Sequence, residues 1–127
     1  MRSPVPAAVV CIVDDDPSLR RAVGNLLRSI GLKVESFASS EAYLQQAQPT
    51  RGRCLILDIQ MPGMDGIDLL TELAASGDAV PAVILTAVGG DEVRRRALAA
   101  GAVAFLTKPF RADALLEAVN AALAHAA

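Results

Sequence analysis

Short apolar runs, separated by segments of helical character, constrain the fold of this chain more than any other feature. They cover residues 8–13, 54–57, 82–85 and 102–106. Runs of this length and composition are typical of strands that are covered on both faces of a parallel sheet. Residues 33–37 differ because polar and apolar side chains alternate there. That alternation predicts an edge strand with one wetter face.

Helical segments alternate with these strands along the chain. The first is predicted to begin at Pro17 with Asp16 as its N-cap and to end at Gly31. A shorter helix begins near Ser40, and the stretch from Gln45 to Arg53 is predicted to form a loop. Three further helices are predicted to begin near residues 65, 91 and 112. Five alternating units of strand and helix predict a doubly wound α/β domain.

Length and charge narrow the class of protein. A chain of 127 residues with 53% hydrophobic residues is the size of one domain with a real core. We expect that domain to span residues 7–125 and residues 1–6 to form a loose tail. A net charge of −2 argues against a basic nucleic-acid-binding surface. The sequence shows no apolar stretch long enough for a membrane span and no signal peptide core, so we expect a cytoplasmic protein without direct nucleic-acid or membrane contact.

Polar residues follow the apolar runs at the points where the strands should end. Asp14 and Asp15 follow the first run, Asp58 follows the second, Thr86 the third, and Lys108 comes shortly after the fourth. The carboxyl ends of parallel strands meet at one edge of a sheet, where ligands bind. Clustered carboxylates that face a lysine indicate a site for a hard cation and a phosphoryl group. One of the carboxylates is then free to act as a nucleophile.

The same residues carry a family resemblance. The acidic pair, the segment Leu57-Asp58-Ile59-Gln60-Met61-Pro62-Gly63-Met64-Asp65-Gly66, Thr86 and the dipeptide Lys108-Pro109 stand in the order and spacing of one family. Over residues 7–125 the chain resembles the receiver domain of a two-component response regulator, with spacings similar to receivers of the FixJ type. The resemblance implies the flavodoxin-like or CheY-like strand order 2-1-3-4-5, with helices on both faces of the sheet.

The resemblance also implies a site chemistry. Asp58 would be the phosphoacceptor, and Lys108 would pair first with Asp58 and then with a phosphoryl oxygen. Mg²⁺, or Mn²⁺ in its place, would bind Asp15, Asp58 and the backbone carbonyl of Gln60, while Asp14 would act mostly through bound water. The implied phosphodonor is a sensor histidine kinase or a phosphotransfer protein. Such a domain phosphorylates and dephosphorylates itself but is not a turnover enzyme.

A conformational switch is implied as well. Thr86 would move toward the phosphate and let the ring of Phe105 turn inward, and the bond between Lys108 and Pro109 would be cis. The output surface would be built from the fourth helix, the last strand and the last helix, and it could form a homodimer in a regulator of transcription. Candidate interface residues on the two helices are Arg94, Arg95, Arg96, Asp113 and Glu117.

Three other functions compete with this interpretation. A haloacid-dehalogenase-like phosphatase also forms an aspartyl phosphate, but Gln60 stands two residues after Asp58, where such an enzyme needs an acid. A flavodoxin-like FMN-binding protein is disfavoured because the loop after the first strand is acidic. A degenerate receiver that only binds a partner is disfavoured because every marker residue is present.

Overall fold

The computed structural model describes residues 9–46 and 53–126. Strands and helices alternate along it in the order β1 Val9–Val13, α1 Pro17–Ser29, β2 Lys33–Phe37, α2 Ser40–Gln46, β3 Arg53–Leu57, α3 Gly66–Ala75, β4 Ala82–Thr86, α4 Asp91–Ala99, β5 Ala102–Thr107 and α5 Ala112–Ala126. The strands form one parallel sheet in the order β2-β1-β3-β4-β5. The predicted doubly wound fold and its strand order are therefore confirmed.

The two faces of the sheet are covered by different helices because successive strand residues point to opposite sides. On one face, Val10 and Ile12 of β1 pack in a buried cluster with residues of α1 and α5. On the other face, Cys11 and Val13 belong to a cluster that includes residues of α2, α3 and α4. This two-sided burial explains why the interior strands contain apolar residues throughout.

The helix starts follow the capping signals in the sequence. The Asp16 side chain accepts hydrogen bonds from the backbone N–H groups of Ser18 and Leu19, as predicted for an N-cap. The predicted loop from Gln45 to Arg53 is wrong at both ends, because α2 continues through Gln46 and β3 begins at Arg53. Residues 47–52 and the predicted tail over residues 1–6 lie outside the described part of the chain.

The edge strand β2 and the two cysteines agree with the sequence analysis, whereas β5, predicted as covered on both faces, lies at the other edge and is only half-buried over residues 103–106. The alternating strand β2 lies at one edge of the sheet, next to β1. Cys11 and Cys54 are both buried in strands. Burial raises the pKa of the Cys54 thiol to about 12, which leaves it unreactive near neutral pH. Within residues 9–46 and 53–126, no helix combines the length and apolar character that crossing a membrane requires.

Candidate functional site

Parallel pairing places two aspartates side by side at the carboxyl edge of the sheet. Val13 of β1 lies opposite Leu57 of β3, so the residues that follow them, Asp14 and Asp58, leave the sheet together. The N–H of Asp58 donates to the carbonyl of Val13 over 3.1 Å, which extends the strand ladder by one residue. Both side chains are almost fully buried, since Asp14 is 2% exposed and Asp58 is 6% exposed.

The ammonium of Lys108, just after β5, joins these two carboxylates. Its Nζ lies 3.1 Å from Oδ2 of Asp14 and 3.1 Å from Oδ2 of Asp58. Burial lowers the pKa of Lys108, but the hydrogen bonds and charges of the two aspartates outweigh it, and the net shift is upward. Lys108 is therefore a cation at neutral pH, held where a negatively charged group would be bound.

Burial has the opposite consequence for Asp14. It raises the pKa of this carboxyl, against the hydrogen bonds from the Asp16 N–H and from Lys108, which lower it. The Asp16 N–H donates to Oδ1 of Asp14 over 2.9 Å, so both carboxylate oxygens already have a partner. Two hydrogen bonds therefore hold the Asp14 carboxylate in place, and the Lys108 ammonium balances its charge.

A third carboxylate completes an acidic cluster. Asp15 is exposed, and one oxygen from each of Asp14, Asp15 and Asp58 lies within 4.8 Å of the others. Hard oxygen donors at this spacing fit a small divalent cation such as Mg²⁺, which prefers carboxylates, carbonyls and water. The cluster combines two buried ligands with one that faces solvent, so it is open on one side.

The loop after β3 contacts the site through the backbone of Gln60. The backbone N–H of Gln60 donates to Oδ1 of Asp58 over 3.0 Å, while Oδ2 of the same carboxylate faces Lys108. Each oxygen of Asp58 is therefore oriented by a different neighbour. Gln60 itself is exposed, and its backbone adjoins the acidic cluster.

Thr86 lies at the end of β4. This strand flanks β3 on the side away from β1. Its side chain is fully buried, and Oγ1 accepts the N–H of Val88 over 3.3 Å. The hydroxyl proton of Thr86 is not used in that contact. The carbonyl of Thr86 accepts the N–H of Lys108 over 2.7 Å, which links the ends of β4 and β5. The peptide bond between Lys108 and Pro109 is cis.

Phe105 lies further back on β5 and is half-buried. Its ring packs against the cluster of apolar residues under α3 and α4. It also lines an open cleft of about 350 Å³, together with Arg94 from α4 and with Phe110 and Arg111 near the start of α5. The aromatic side chain therefore connects the core to the surface between α4 and α5.

The five candidate interface residues are exposed but are not all available to a partner. Arg94, Arg95 and Arg96 lie exposed along α4, and Glu117 is exposed on α5. Asp113 instead faces its own neighbour, because Arg111 donates to both of its carboxylate oxygens over 3.1 Å. That pair is largely exposed, so it is weak and can exchange for another contact.

Sequence reasoning missed three residues that support the site. Arg20 of α1 donates from Nη1 to the carbonyl of Asp14 over 2.7 Å. Glu41 of α2 accepts the N–H of Met64, in the loop between β3 and α3, over 2.9 Å. Gly66 opens α3 so close to Asp58 that a Cβ there would lie 2.4 Å from the Asp58 carbonyl oxygen. Of the three, only Gly66 could have been found from the sequence, because it belongs to the segment that contains Asp58.

Comparisons with known proteins agree with this geometry. Residues 10–120 match the family model of the response regulator receiver domain. Nodulation protein W of Bradyrhizobium diazoefficiens is 45% identical over 115 residues, which cover 91% of this chain and 51% of that protein. The transcriptional regulatory protein FixJ of Azorhizobium caulinodans is 36% identical over 118 residues, covering 93% of this chain and 56% of FixJ. The chain thus spans about half the length of the curated relatives it matches.

A solved structure of the receiver part alone gives the same result. The crystal structure of FixJ-N has a TM-score of 0.86 and 33% identity, and the match covers 95% of this chain and 97% of that one. The similarity to FixJ-type receivers that the sequence indicates is thereby confirmed, in sequence and in fold. The chain belongs to the response regulator receiver domain family, the phosphoacceptor modules of two-component signal transduction.

Proposed function

We propose that Asp58 is the residue of this receiver domain that accepts the phosphoryl group. The observation that carries the proposal is the Lys108 ammonium, which lies 3.1 Å from the carboxylates of both Asp14 and Asp58 at the end of the sheet. A half-buried cation between two buried carboxylates provides a ready counter-charge for an incoming phosphoryl oxygen. The location of Asp58 at the edge where parallel sheets bind ligands supports the same role.

The proposed reaction is a phosphoryl transfer from a phosphohistidine. A carboxylate oxygen of Asp58 attacks phosphorus, an O–P bond forms, and the P–N bond to the donor imidazole breaks. The electron pair of that bond leaves with the imidazole nitrogen, which can take a proton from water. Water later attacks phosphorus and releases inorganic phosphate, which restores the Asp58 carboxylate. Since the phosphoryl group ends on the domain's own Asp58 and is lost there by hydrolysis, the domain would act as a phosphoacceptor rather than as a turnover enzyme.

Two side chains would hold the transferred group. Lys108 would keep its charge near Asp58 and move its hydrogen bond from the carboxylate to a phosphoryl oxygen, which is a point-charge role suited to an ammonium. Thr86 would donate its unused hydroxyl proton to a second phosphoryl oxygen. The Gln60 N–H, 3.0 Å from Asp58 Oδ1, would keep the attacking carboxylate in its orientation.

The acidic cluster fits a divalent cation. Asp15, Asp58 and the backbone carbonyl of Gln60 would hold Mg²⁺, with Asp14 acting mostly through bound water, and Mn²⁺ could replace it. When bound, such an ion neutralises charge between the carboxylates and the anionic phosphoryl group. The support is the distance of 4.8 Å or less between one oxygen of each of Asp14, Asp15 and Asp58.

We further propose that the phosphodonor is a sensor histidine kinase or a phosphotransfer protein in the cytoplasm. The output would be a change in the surface formed by α4, β5 and α5, with Thr86 and Phe105 as the switch. Arg94, Arg95 and Arg96 would face Asp113 and Glu117 of a second copy across a phosphorylation-dependent homodimer. The half-buried ring of Phe105 beside Arg94 supports this coupling.

The test is intact-mass measurement after incubation with acetyl phosphate. We expect the wild-type domain to gain one phosphoryl group when Mg²⁺ is present and none with a chelator. Asp58→Asn should remain unlabelled, while the matched variant Asp78→Asn, at an exposed aspartate outside the site, should label like wild type. Equal labelling of wild type and Asp58→Asn would overturn the assignment, and no labelling of wild type would favour a degenerate receiver.

A second assay separates a receiver from a phosphatase of the haloacid-dehalogenase type. We expect no multiple turnover of an alkyl phosphate such as glycerol phosphate, whose alkoxide leaving group needs a general acid, because Gln60 stands two residues after Asp58, where such a phosphatase carries that acid. Sustained release of inorganic phosphate from it by wild type but not by Asp58→Asn would replace the receiver mechanism with an enzymatic one.

A further inference from the structure

The loop between β3 and α3 carries the proposed phosphoacceptor at its start and is anchored at both ends. At its beginning, the N–H of Asp58 donates to Val13 and the N–H of Gln60 donates to Asp58. At its end, the N–H of Gly66 donates to the carbonyl of Ile59 over 3.1 Å. Between these anchors, Met61 and Met64 pack against the apolar core, and the loop backbone gains one further hydrogen bond from outside the loop.

Glu41 supplies that contact from a distant part of the chain. Its Oε2 accepts the Met64 N–H over 2.9 Å across a sequence separation of 23 residues. Glu41 lies in the first turn of α2, where Ser39 Oγ accepts the N–H of Ala42 and so fixes the beginning of the helix. The hydrogen bonds from the Met64 N–H and from its own N–H lower the pKa of Glu41, so the carboxylate is ionised at neutral pH.

Gly63 shows how closely the carboxylate approaches the loop. A Cβ built at Gly63 would lie 2.6 Å from Glu41 Oε2 and 3.5 Å from Oε1, and the φ angle of Gly63 is +76°. A side chain there would both strain the backbone and displace the carboxylate. The Glu41 carboxylate therefore occupies space that is open only because Gly63 has no side chain.

We infer that Glu41 is a positioning residue for the phosphoacceptor loop, acting through its hydrogen bond to the Met64 N–H. It touches neither the phosphoryl group nor the cation. By fixing Met64, it limits the freedom of the loop that contains Gln60, whose backbone carbonyl is the proposed third ligand of the cation. This inference rests on the proposed function of Asp58, and its test has a readout that does not depend on phosphorylation.

The readout is a Mg²⁺ titration of the unphosphorylated domain, followed by the amide resonances of residues near Asp58. We expect Glu41→Ala to weaken Mg²⁺ binding by roughly tenfold, the lower end of the cost of losing a group that orients a ligand. Glu41→Gln should stay close to wild type, because an amide oxygen also accepts the Met64 N–H. Hydrogen exchange at the Met64 amide should be faster in Glu41→Ala only.

The matched control is Glu72→Ala, which removes the same charge and side chain from an exposed position on α3. Equal Mg²⁺ affinity in the alanine variants at positions 41 and 72 would overturn the inference, because only charge would then matter. A loss in Glu41→Gln as large as in Glu41→Ala would also overturn it. Should Glu41→Ala fail to fold, Glu41→Asp, which is one methylene too short to keep the contact, takes its place in the same comparison.

The failure of the two proposals can be distinguished. If Asp58 is not the phosphoacceptor, acetyl phosphate labels neither wild type nor any Glu41 variant at that residue, yet the Mg²⁺ titrations still rank the variants. If only the role of Glu41 is wrong, wild type labels at Asp58 and the titrations show no difference between Glu41→Ala and Glu72→Ala.

Discussion

Helices α3 and α4 cover the same face of the sheet, but they are held to it very differently. α3 buries five residues, among them Ile67, Leu70 and Leu73, and its first turn is capped by the side chain of Asp65. α4 buries Ala97 alone, and it begins after Gly90, which has a φ of +122° and makes no side-chain cap. The helix after β3 therefore buries more side chains than the helix after β4, and only the former begins with a side-chain cap.

The difference in burial between α3 and α4 suits the two helices to different tasks. As the proposed phosphoacceptor, Asp58 would need a fixed position, because phosphoryl transfer depends on the alignment of the nucleophile with the groups that hold the phosphoryl group. A surface that changes with phosphorylation must come from an element of low local stability. α4 buries one side chain and has no side-chain cap at its start, which favours α4 over α3 as that element.

The largest expected effect comes from removing one leucine of each helix. Leu70 of α3 is 3% exposed, so Leu70→Ala should lower the free energy of unfolding by about 2–5 kcal/mol. Leu98 of α4 is 42% exposed, and Leu98→Ala should change that free energy by less than about 0.5 kcal/mol. Urea denaturation measures both values. Equal losses in the two variants would contradict the comparison of the helices.

The sequence predicted the fold because local and global signals agree on it. Apolar runs marked the interior strands, and Asp16 and Asp65 marked helix starts that their side chains do cap. It also predicted which side chains meet at the carboxyl edge, since parallel strands bring their ends together regardless of the details of packing. Asp14, Asp58 and Lys108 lie in contact there.

The support of the site was not predictable in the same way. Glu41 lies in the first turn of a helix, where a glutamate is explained by the helix dipole alone. Its contact with Met64 spans 23 residues and depends on how α2 packs beside the loop between β3 and α3. The partner of Asp113 was missed for a related reason, because the pattern of charges does not show that Arg111 reaches it first.

A smaller effect is expected from adding a methyl group to a glycine in each of the two connections, the one from β3 to α3 and the one from β4 to α4. A Cβ at Gly66 would lie 2.4 Å from the Asp58 carbonyl oxygen, which is backbone and cannot turn away. Gly66→Ala should therefore cost roughly 1–3 kcal/mol of unfolding free energy, as overpacked sites do. It should also slow phosphorylation by acetyl phosphate, because the backbone of Asp58 has to shift.

The matched variant on the other junction is Gly89→Ala. A Cβ there would lie 3.5 Å from Cγ2 of Thr107, which is an ordinary contact. The unfolding free energy should then change by less than about 1 kcal/mol in either direction, and the labelling rate should be unchanged. A loss in Gly89→Ala that matches the loss in Gly66→Ala would show that the two junctions are equally constrained.

The smallest effect is the response of α4 to phosphorylation. Phe105 is already half-buried, so its inward turn can contribute a coupling of only about 1 kcal/mol, near the low end of allosteric values. With beryllofluoride as a phosphoryl mimic, amide resonances should shift more in residues 88–95 and at Phe105 than in residues 66–75.

The mimic should also promote dimerisation in sedimentation experiments. Arg95→Glu should prevent dimerisation, while Arg21→Glu on α1, which is not part of the α4, β5 and α5 surface, should not. Larger shifts in α3 than in α4 would refute the assignment of the mobile helix, and a monomer throughout would refute the dimer.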